Sequence, residues 1–573
     1  MYRAARPAVG RRTSLNYADA LVLVGITVAI YAGLRLAFDA PAEVHGRAIS
    51  LAPAALPRYA LLSVGRMAVA YLLSLLFSLS YGYAAARSRA AERILLPILD
   101  VLQSIPILSF LPVVLLSLTA ILPEVWAAEM ASVALILTSQ AWNMTFSVYQ
   151  SLTTIPRELR EVAETFRLGR WLRFRRLELP SAAIGLVWNS MMSWAGGWFF
   201  LMAAETFAVG RRNFRLPGLG SYLYQAADQG NMRAILWGLA ALVLTIVLLD
   251  QLLWRPILVW SDRFKLETVR GEDAPASWFY DLLEHSTLAG WLREHVAGPL
   301  GEWLDQPFGG QVAPRAPAQP GGGRRVAGVG LLLGLGATGV ALLVGGLRAG
   351  QALLALPLPI WTQIGVAVLA TTLRVAAALL IAVGWTLPVG VLIGTNRRLA
   401  AVLQPVVQMV ASIPATALFP VVLLFLIGLP GGLNLAAILL MLMGTQWYAL
   451  FNIIAGAASI PEDLRYTTSM LGLRFLERWR TLILPAIFPY LITGMITASG
   501  GAWNASIVAE YVAFGGQQYQ TVGIGALIAE ATSKGDYTLL LGATVALVIT
   551  VVLINRFFWG RLYAYAAERC RME

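Results

Sequence analysis

The strongest constraint on this chain is the recurrence of apolar stretches about as long as a membrane is thick. Windows near 18–38, 60–86, 99–121, 126–150, 183–207 and 233–258 are followed by others near 326–347, 362–393, 404–428, 431–454, 487–511 and 537–559. Each approaches the roughly 20 residues that a helix needs to cross a bilayer. Hydrocarbon leaves no water for an unpaired N–H or C=O, so such a segment must satisfy its own backbone, which a helix does. Only 13% of the 573 residues are charged, against about 25% in an average soluble chain. The sequence therefore predicts an all-α, polytopic membrane protein with about twelve transmembrane helices.

Charge gives the orientation. The net charge is +12, carried almost wholly by arginine, with Lys265 and Lys534 the only lysines. The clusters Arg87/Arg89/Arg93 and Arg397/Arg398 fall in loops on one side, which the positive-inside tendency assigns to the cytoplasm. This reading accounts for the basic excess without a nucleic-acid partner. The first window follows Arg3, Arg6, Arg11 and Arg12 and is too long for the apolar core of a signal peptide. Even numbers of windows on each side of the middle predict both termini in the cytoplasm. Cys570 is the only cysteine, so no disulfide forms within one chain, and His45, His285 and His295 are scattered in no metal-ligand pattern.

The chain repeats itself. Pro180 and Pro485 are 305 residues apart (485 minus 180), and the same offset pairs Trp142 with Trp447, Trp198 with Trp503, and Glu205 with Glu510. It also pairs Gly218-Leu219-Gly220 with Gly523-Ile524-Gly525. Upstream, SIPILSFLPVV (Ser104–Val114) pairs with SIPATALFPVV (Ser412–Val422) at an offset of 308 (412 minus 104). Two copies in the same direction predict parallel six-helix repeats related by an axis along the membrane normal. The expected units are residues 1–260, a cytoplasmic linker at 261–325, and residues 326–573. Within the linker, Ser277–Phe308 has the apolar spacing of amphipathic interfacial helices, and Ala313–Arg325 is a Pro/Gly-rich tether.

One stretch is too charged for lipid. IPRELREVAETFRLGRWLRFRRLELP (Ile155–Pro180) holds seven arginines: Arg157, Arg160, Arg167, Arg170, Arg173, Arg175 and Arg176. Each costs several kcal/mol at the bilayer centre. Leu159, Val162, Ala163 and Phe166 nevertheless keep the spacing of one helical face. This predicts a cytoplasmic helical hairpin, with Gly169 as the bend and Pro180 marking re-entry into the membrane. IPEDLRYTTSMLGLRFLERWRTLILP (Ile460–Pro485) repeats its length and both prolines with less charge.

These two loops resemble the EAA loops in the membrane subunits of binding-protein-dependent ABC importers. That pattern is Glu-Ala-Ala, three residues, Gly, nine residues, an aliphatic residue, one residue, then Leu-Pro. The first copy matches it at Glu161, Ala163, Leu177, Leu179 and Pro180, with Val162 and Arg167 as departures. The second matches at Gly472, Leu482, Leu484 and Pro485, with Tyr466, Thr467 and Thr468 in place of Glu-Ala-Ala. The SIP…FPVV and Gly-Leu/Ile-Gly stretches are similar to the nitrate/sulfonate/bicarbonate (NitT/TauT-type) branch of the MetI-like permeases. The resemblance implies a fused, two-half permease of type I importer fold in a bacterial cytoplasmic membrane. Its loops would seat on two cytoplasmic ATPase subunits, which would bind the ATP and Mg2+, and a periplasmic or lipid-anchored solute-binding protein would deliver a small anion. The chain has no Walker A lysine of its own: Lys265 sits in SDRFKLE and Lys534 in ATSKGDY. An ion-coupled secondary transporter with internal repeats is the alternative class, and a membrane scaffold without a pore is a third.

Within the membrane, Glu205 and Glu510 are costly acids that read either as pathway residues or as partners of nearby backbone or Arg211. Trp198 and Trp503, seven residues earlier, and Asn504 complete the expected pathway set, with interhelical packing the other reading for the tryptophans. Pro106, Pro112, Pro414 and Pro420 are expected to kink the third span of each copy. Arg211, Arg212 and Arg215 form a basic patch in the first copy alone, facing either a partner or solvent.

Overall fold

The computed structural model describes residues 17–37, 46–209, 212–264, 277–286, 295, 299, 340, 342–514 and 517–569. The first half opens with α1 (Tyr17–Ala37), α2 (Leu56–Arg87), α3 (Arg89–Ser104), a 3-10 turn at Ile107–Phe110, α4 (Leu111–Thr119) and α5 (Glu124–Thr153). Two short helices follow, α6 (Arg157–Thr165) and α7 (Arg170–Arg173), then a π-helical run (Phe174–Glu178) and α8 (Leu179–Glu205). An antiparallel hairpin, β1 (Ala208–Val209) and β2 (Arg212–Asn213), leads to α9 (Leu219–Asp228) and α10 (Met232–Leu249). A second π run (Asp250–Trp254) joins α10 to α11 (Arg255–Asp262). Of the amphipathic linker, α12 (Trp278–Glu284) is described, and most of 261–325 lies outside the described residues.

The second half has the same order: α13 (Leu342–Leu354), α14 (Leu358–Thr395), α15 (Arg397–Ala411), α16 (Ala415–Leu426), α17 (Gly432–Ala458), α18 (Glu462–Met470) and α19 (Phe475–Arg478). It continues through a π run (Trp479–Ile483), α20 (Leu484–Ala509), the hairpin of β3 (Tyr511–Phe514) and β4 (Gln517–Gln520), α21 (Ile524–Lys534) and α22 (Tyr537–Leu553). A last π run (Ile554–Trp559) leads into α23 (Gly560–Arg569). Helix starts repeat as well. Ser88 caps α3 and Asn396 caps α15, while Asn231 caps α10 and Asp536 caps α22, each accepting from a backbone N–H of the first turn.

The protein is thus an all-α membrane protein with two small hairpins that the hydropathy pattern did not reveal. Among the described residues, six helices are long and apolar enough to cross a membrane, or up to eight if each of two bent pairs counts as one span. The expected twelve also include α5 and α8, long helices rich in serine, tryptophan and polar amides. They include α1 and α13 too, whose described apolar stretches are shorter (Val22–Leu36 and Leu342–Leu354).

The third span of each half departs furthest from expectation. It is a broken pair rather than one kinked helix. Arg89–Gln103 meets Ile107–Thr119 at 82°, and Arg398–Ala411 meets Ala415–Leu426 at 79°. The break falls at Pro106 and Pro414, each extended at the N-terminus of the helix that follows, so the backbone turns where proline already removes a donor. The re-entry prolines differ in the other direction. Pro180 and Pro485 sit in the first turn of α8 and α20, yet the helix runs unbroken from Arg170 to Glu205 and from Phe475 to Ala509. The π run just before each proline changes the hydrogen-bond register by one residue and accommodates the missing N–H.

The halves interlock. Ile30 and Leu34 of α1 and Val113 of α4 belong to the core built chiefly from the second half. Ala417 of α16 belongs in turn to the core of the first half. Each broken span therefore contributes a residue of its second helix to the core of the opposite half.

Candidate functional site

The conserved geometry of the two copies concentrates at three levels: the loop helices, two buried ion pairs, and the seam between the halves.

In the first loop, Leu159 turns inward onto Met144, Val148, Leu152, Ile155 and Leu186, and Ala163 is buried. Val162 and Phe166 point outward, Phe166 being 70% exposed. The expected single apolar face is therefore split: one side fastens the helix to the membrane domain, and the other is left exposed. Glu161 is exposed on the outer side. In the second loop Tyr466, at the position of Glu161, is exposed, together with Met470, Leu471, Phe475 and Leu476. Thr468, at the position of Ala163, is half-buried.

The bend lies two residues before Gly169. Arg167 has φ 48° and Gly472 has φ 61°, and they occupy equivalent positions. Leu168 N–H donates to Ala163 O (3.0 Å), and Leu473 N–H donates to Thr468 O (3.4 Å). These are the six-to-one bonds of a Schellman motif, whose left-handed residue is usually glycine. Gly169 has an ordinary φ of −59° and caps α7. Arginine in place of glycine at 167 costs about 1 kcal/mol of backbone strain.

A further pair fixes the loops to the membrane helices, and sequence reading had not singled it out. Arg160 Nη2 donates to Leu152 O (2.9 Å) and Thr153 O (3.2 Å) at the end of α5. Arg465, its equivalent, donates to Ala457 O at the end of α17 and to Thr395 O. Both arginines satisfy carbonyls that a helix C-terminus leaves open. Leu179 and Leu484, with Pro180 and Pro485, begin the long helices that continue each loop.

Glu205 and Glu510 are fully buried and spoken for. Glu205 Oε1 accepts from Ser63 Oγ (2.7 Å) and Arg66 Nη1 (2.8 Å), and Oε2 accepts from Gly220 N–H (2.8 Å). Glu510 accepts from Thr371 Oγ1 (2.6 Å), Arg374 Nη1 (2.7 Å) and Gly525 N–H (2.8 Å). Each carboxylate thus fills the anion site at the N-terminus of α9 or α21. The Gly-x-Gly motif follows from this. A Cβ at Gly218 would lie 2.2 Å from Glu205 Oε1, and one at Gly523 would lie 2.2 Å from Glu510 Oε2. The partner of each acid is an arginine of α2 or α14, not Arg211, whose position is outside the described residues. The remaining donors differ between copies: Arg66 forks onto Glu129 (2.6 and 2.8 Å), while Arg374 donates to Asn434 at the equivalent position.

Two of the cavities along the seam lie on either side of the broken spans. The larger, about 400 Å³, is on the loop side and is lined by both halves, including Trp188, Trp198, Trp447, Tyr448 and Asn504. The smaller, about 150 Å³, lies toward the hairpins and is lined by Leu108, Thr416, Phe419 and Tyr511 among others. Two contacts stand between them. Leu108 N–H donates to Asn504 Oδ1 (3.3 Å), and Thr416 Oγ1 donates to Phe199 O (3.4 Å). Phe199 and Asn504 are equivalent residues, 305 apart (504 minus 199), and each meets the break of the opposite half's broken span.

Of the five expected pathway residues, Trp198 and Asn504 line the larger cavity. Trp503, Glu205 and Glu510 line neither of these two cavities: Trp503 is buried in the second core, and the two acids are held in their ion pairs. Phe199, Arg66 and Arg374 are further residues that sequence reading missed. A lone arginine inside each long apolar run was the available signal for the latter two.

Residues 74–253 and 386–565 each match the family described as binding-protein-dependent transport system inner membrane component. The chain belongs to this family. The match covers more than half of it, once in each half, and the two matched segments include both loops, the π run that follows each loop and both ion-paired glutamates. Over 190 residues the chain is 32% identical to the bicarbonate transport system permease protein CmpB of Synechococcus elongatus, covering 33% of this chain and 65% of that protein. It is 27% identical over 194 residues to the nitrate import permease protein NrtB of Synechocystis, covering 34% and 67%. It is 27% identical over 158 residues to the putative aliphatic sulfonates transport permease protein SsuC of Bacillus subtilis, covering 28% and 54%. This family member therefore spans about two thirds of the length of the first of these relatives.

Proposed function

We propose that this chain is the fused, two-half permease of an ABC importer, with one translocation pathway between its halves and one ATPase-coupling loop in each. The observation that carries this reading is the pair of short helices, α6 and α18, that turn apolar side chains outward on charged, non-membrane segments. Each is pinned by an arginine to the end of a membrane helix, within a chain that matches the permease family twice. The exposed Tyr466, Met470, Leu471, Phe475 and Leu476 of the second loop, and Val162 and Phe166 of the first, are the kind of grouped apolar surface that marks a partner site.

On this reading two ATPase subunits bind ATP and Mg2+ and grip α6 and α18, with Glu161, Ala163, Arg167 and Gly169 shaping the first contact and Tyr466, Thr468 and Gly472 the second. Closure of the ATPases rocks the loops. Arg160 and Arg465 pass that motion to α5 and α17, and the continuous helices through Pro180 and Pro485 pass it to α8 and α20. The seam contacts at Asn504 and Phe199 then separate or meet, so that one cavity opens as the other closes. A solute-binding protein would dock at the hairpin side. The names of the similar proteins support testing small anions such as nitrate, bicarbonate and sulfonates first. The expected cellular site is the bacterial cytoplasmic membrane, with both termini inside.

The test is uptake in vesicles with the co-expressed ATPase. The double variant Glu161→Ala with Gly472→Asp should abolish ATP-dependent uptake while the chain still inserts. Uptake that persists in this variant, or that follows an ion gradient without ATP, would reject the reading in favour of a secondary transporter.

A further inference from the structure

The larger seam cavity has a chemistry of its own. Its walls are dominated by aromatic rings and methionines, with Trp188, Trp198, Phe199, Trp447, Tyr448 and Phe451 contributed by α8 and α17. Its volume of about 400 Å³ lies in the range of small-molecule sites. Apart from Asp250, the polar side chains among them are neutral: Ser412, Gln404 and Gln408, the last two one turn apart on α15, and Asn504 at the end nearest the smaller cavity. Among the described residues no lysine, arginine or histidine lines the cavity. Asp250, the one acid on its wall, is paired with Arg255 at 3.0 Å.

We infer that this cavity is a site for an organic solute with a flat aromatic body, and that nitrate and bicarbonate are not its ligands. The inference rests on the importer reading and narrows its substrate class. Aromatic faces carry the negative side of a quadrupole, so a ring of them attracts the edge of another aromatic ring and repels a bare anion. A small inorganic anion here would also give up its hydration with no cation on the cavity wall, since Arg255, beside it, is engaged by Asp250. An aromatic ring gains stacked and edge-to-face contacts with Trp447 and Trp188, while the amides of Gln404 and Gln408 meet its polar substituent. Methionines such as Met191 and Met443 adapt their shape to the remaining gaps.

The experiment places the full chain, with any ATPase that co-purifies, in lipid nanodiscs and follows intrinsic tryptophan fluorescence. The probes are benzenesulfonate and benzamide on one arm, and sodium nitrate, bicarbonate and methanesulfonate on the other. At least one aromatic probe should give a saturable change, and the non-aromatic probes none at equal concentration. Trp447→Ala should weaken the aromatic probe about tenfold, and Trp447→Phe should restore most of the loss, since a ring and not the indole N–H supplies the contact. Saturable binding of nitrate or bicarbonate without either aromatic probe would overturn the inference, as would equal aromatic binding by Trp447→Ala. Failure to capture an ATPase would reject the importer reading instead, and leaves the probe result to stand for or against the cavity.

Discussion

At the scale of single residues, the two glycine pairs and the acids they enclose are tightly constrained. Gly218 needs room for a carboxylate, not an unusual φ, because its backbone is extended (φ −179°) and its missing Cβ is where Glu205 sits. Gly218→Ala should therefore behave like a broken buried ion pair and cost about 3–5 kcal/mol, since Glu205 must leave Arg66 to make space. The same substitution at exposed Gly65, where a Cβ meets nothing within 4 Å, should be neutral or mildly stabilising. Thermal unfolding of the two variants in one detergent checks this, and equal midpoints would refute it. The glutamates and the Gly-x-Gly motif were both visible in the sequence as repeated features. Their partnership was not. Arg66 lies 139 residues from Glu205, and Arg374 lies 136 from Glu510, so only packing brings them together.

At the scale of elements, legibility depended on whether an element's shape is set locally. The loop helices were readable because their charge, prolines and 305-residue offset are local facts. The inward turn of Leu159 and Ala163 was not, because a helix of nine residues shows a face but not which side meets the protein. Proline likewise signalled a disturbance in the third span, yet the 82° and 79° breaks depend on the opposite half, whose Asn504 and Phe199 receive the exposed turn. The arginine pins lead to a prediction at this scale. Arg160→Ala or Arg465→Ala removes the tie between loop helix and membrane helix without touching the outward face. Each should leave ATPase capture and basal ATP hydrolysis near wild type while cutting transport per ATP severalfold. An unchanged transport-to-hydrolysis ratio, measured in proteoliposomes, would show that the tie carries no motion.

At the scale of the whole molecule, two copies of one design have been made unequal. The first loop surrounds Phe166 with exposed Arg157, Arg167, Arg170 and Arg176, while the second presents Tyr466, Met470, Leu471, Phe475 and Leu476. The membrane interior is unequal as well: Asn504 stands at the seam where the first half has Phe199, and Asn434 meets Arg374 where Glu129 meets Arg66. On the importer reading the first loop would therefore make the more electrostatic ATPase contact and the second the more apolar one, and salt screens the first far more than the second. The direct measurement is ATPase capture by the tagged chain, with stoichiometry read at low and high ionic strength for wild type, Phe166→Asp and Leu471→Asp. The account predicts two ATPases per chain for wild type and the loss of one contact in each variant. The Leu471→Asp complex, left with the arginine-rich loop, should dissociate in high salt, while the Phe166→Asp complex holds. No ATPase bound to wild type, or full capture by both variants, would contradict it.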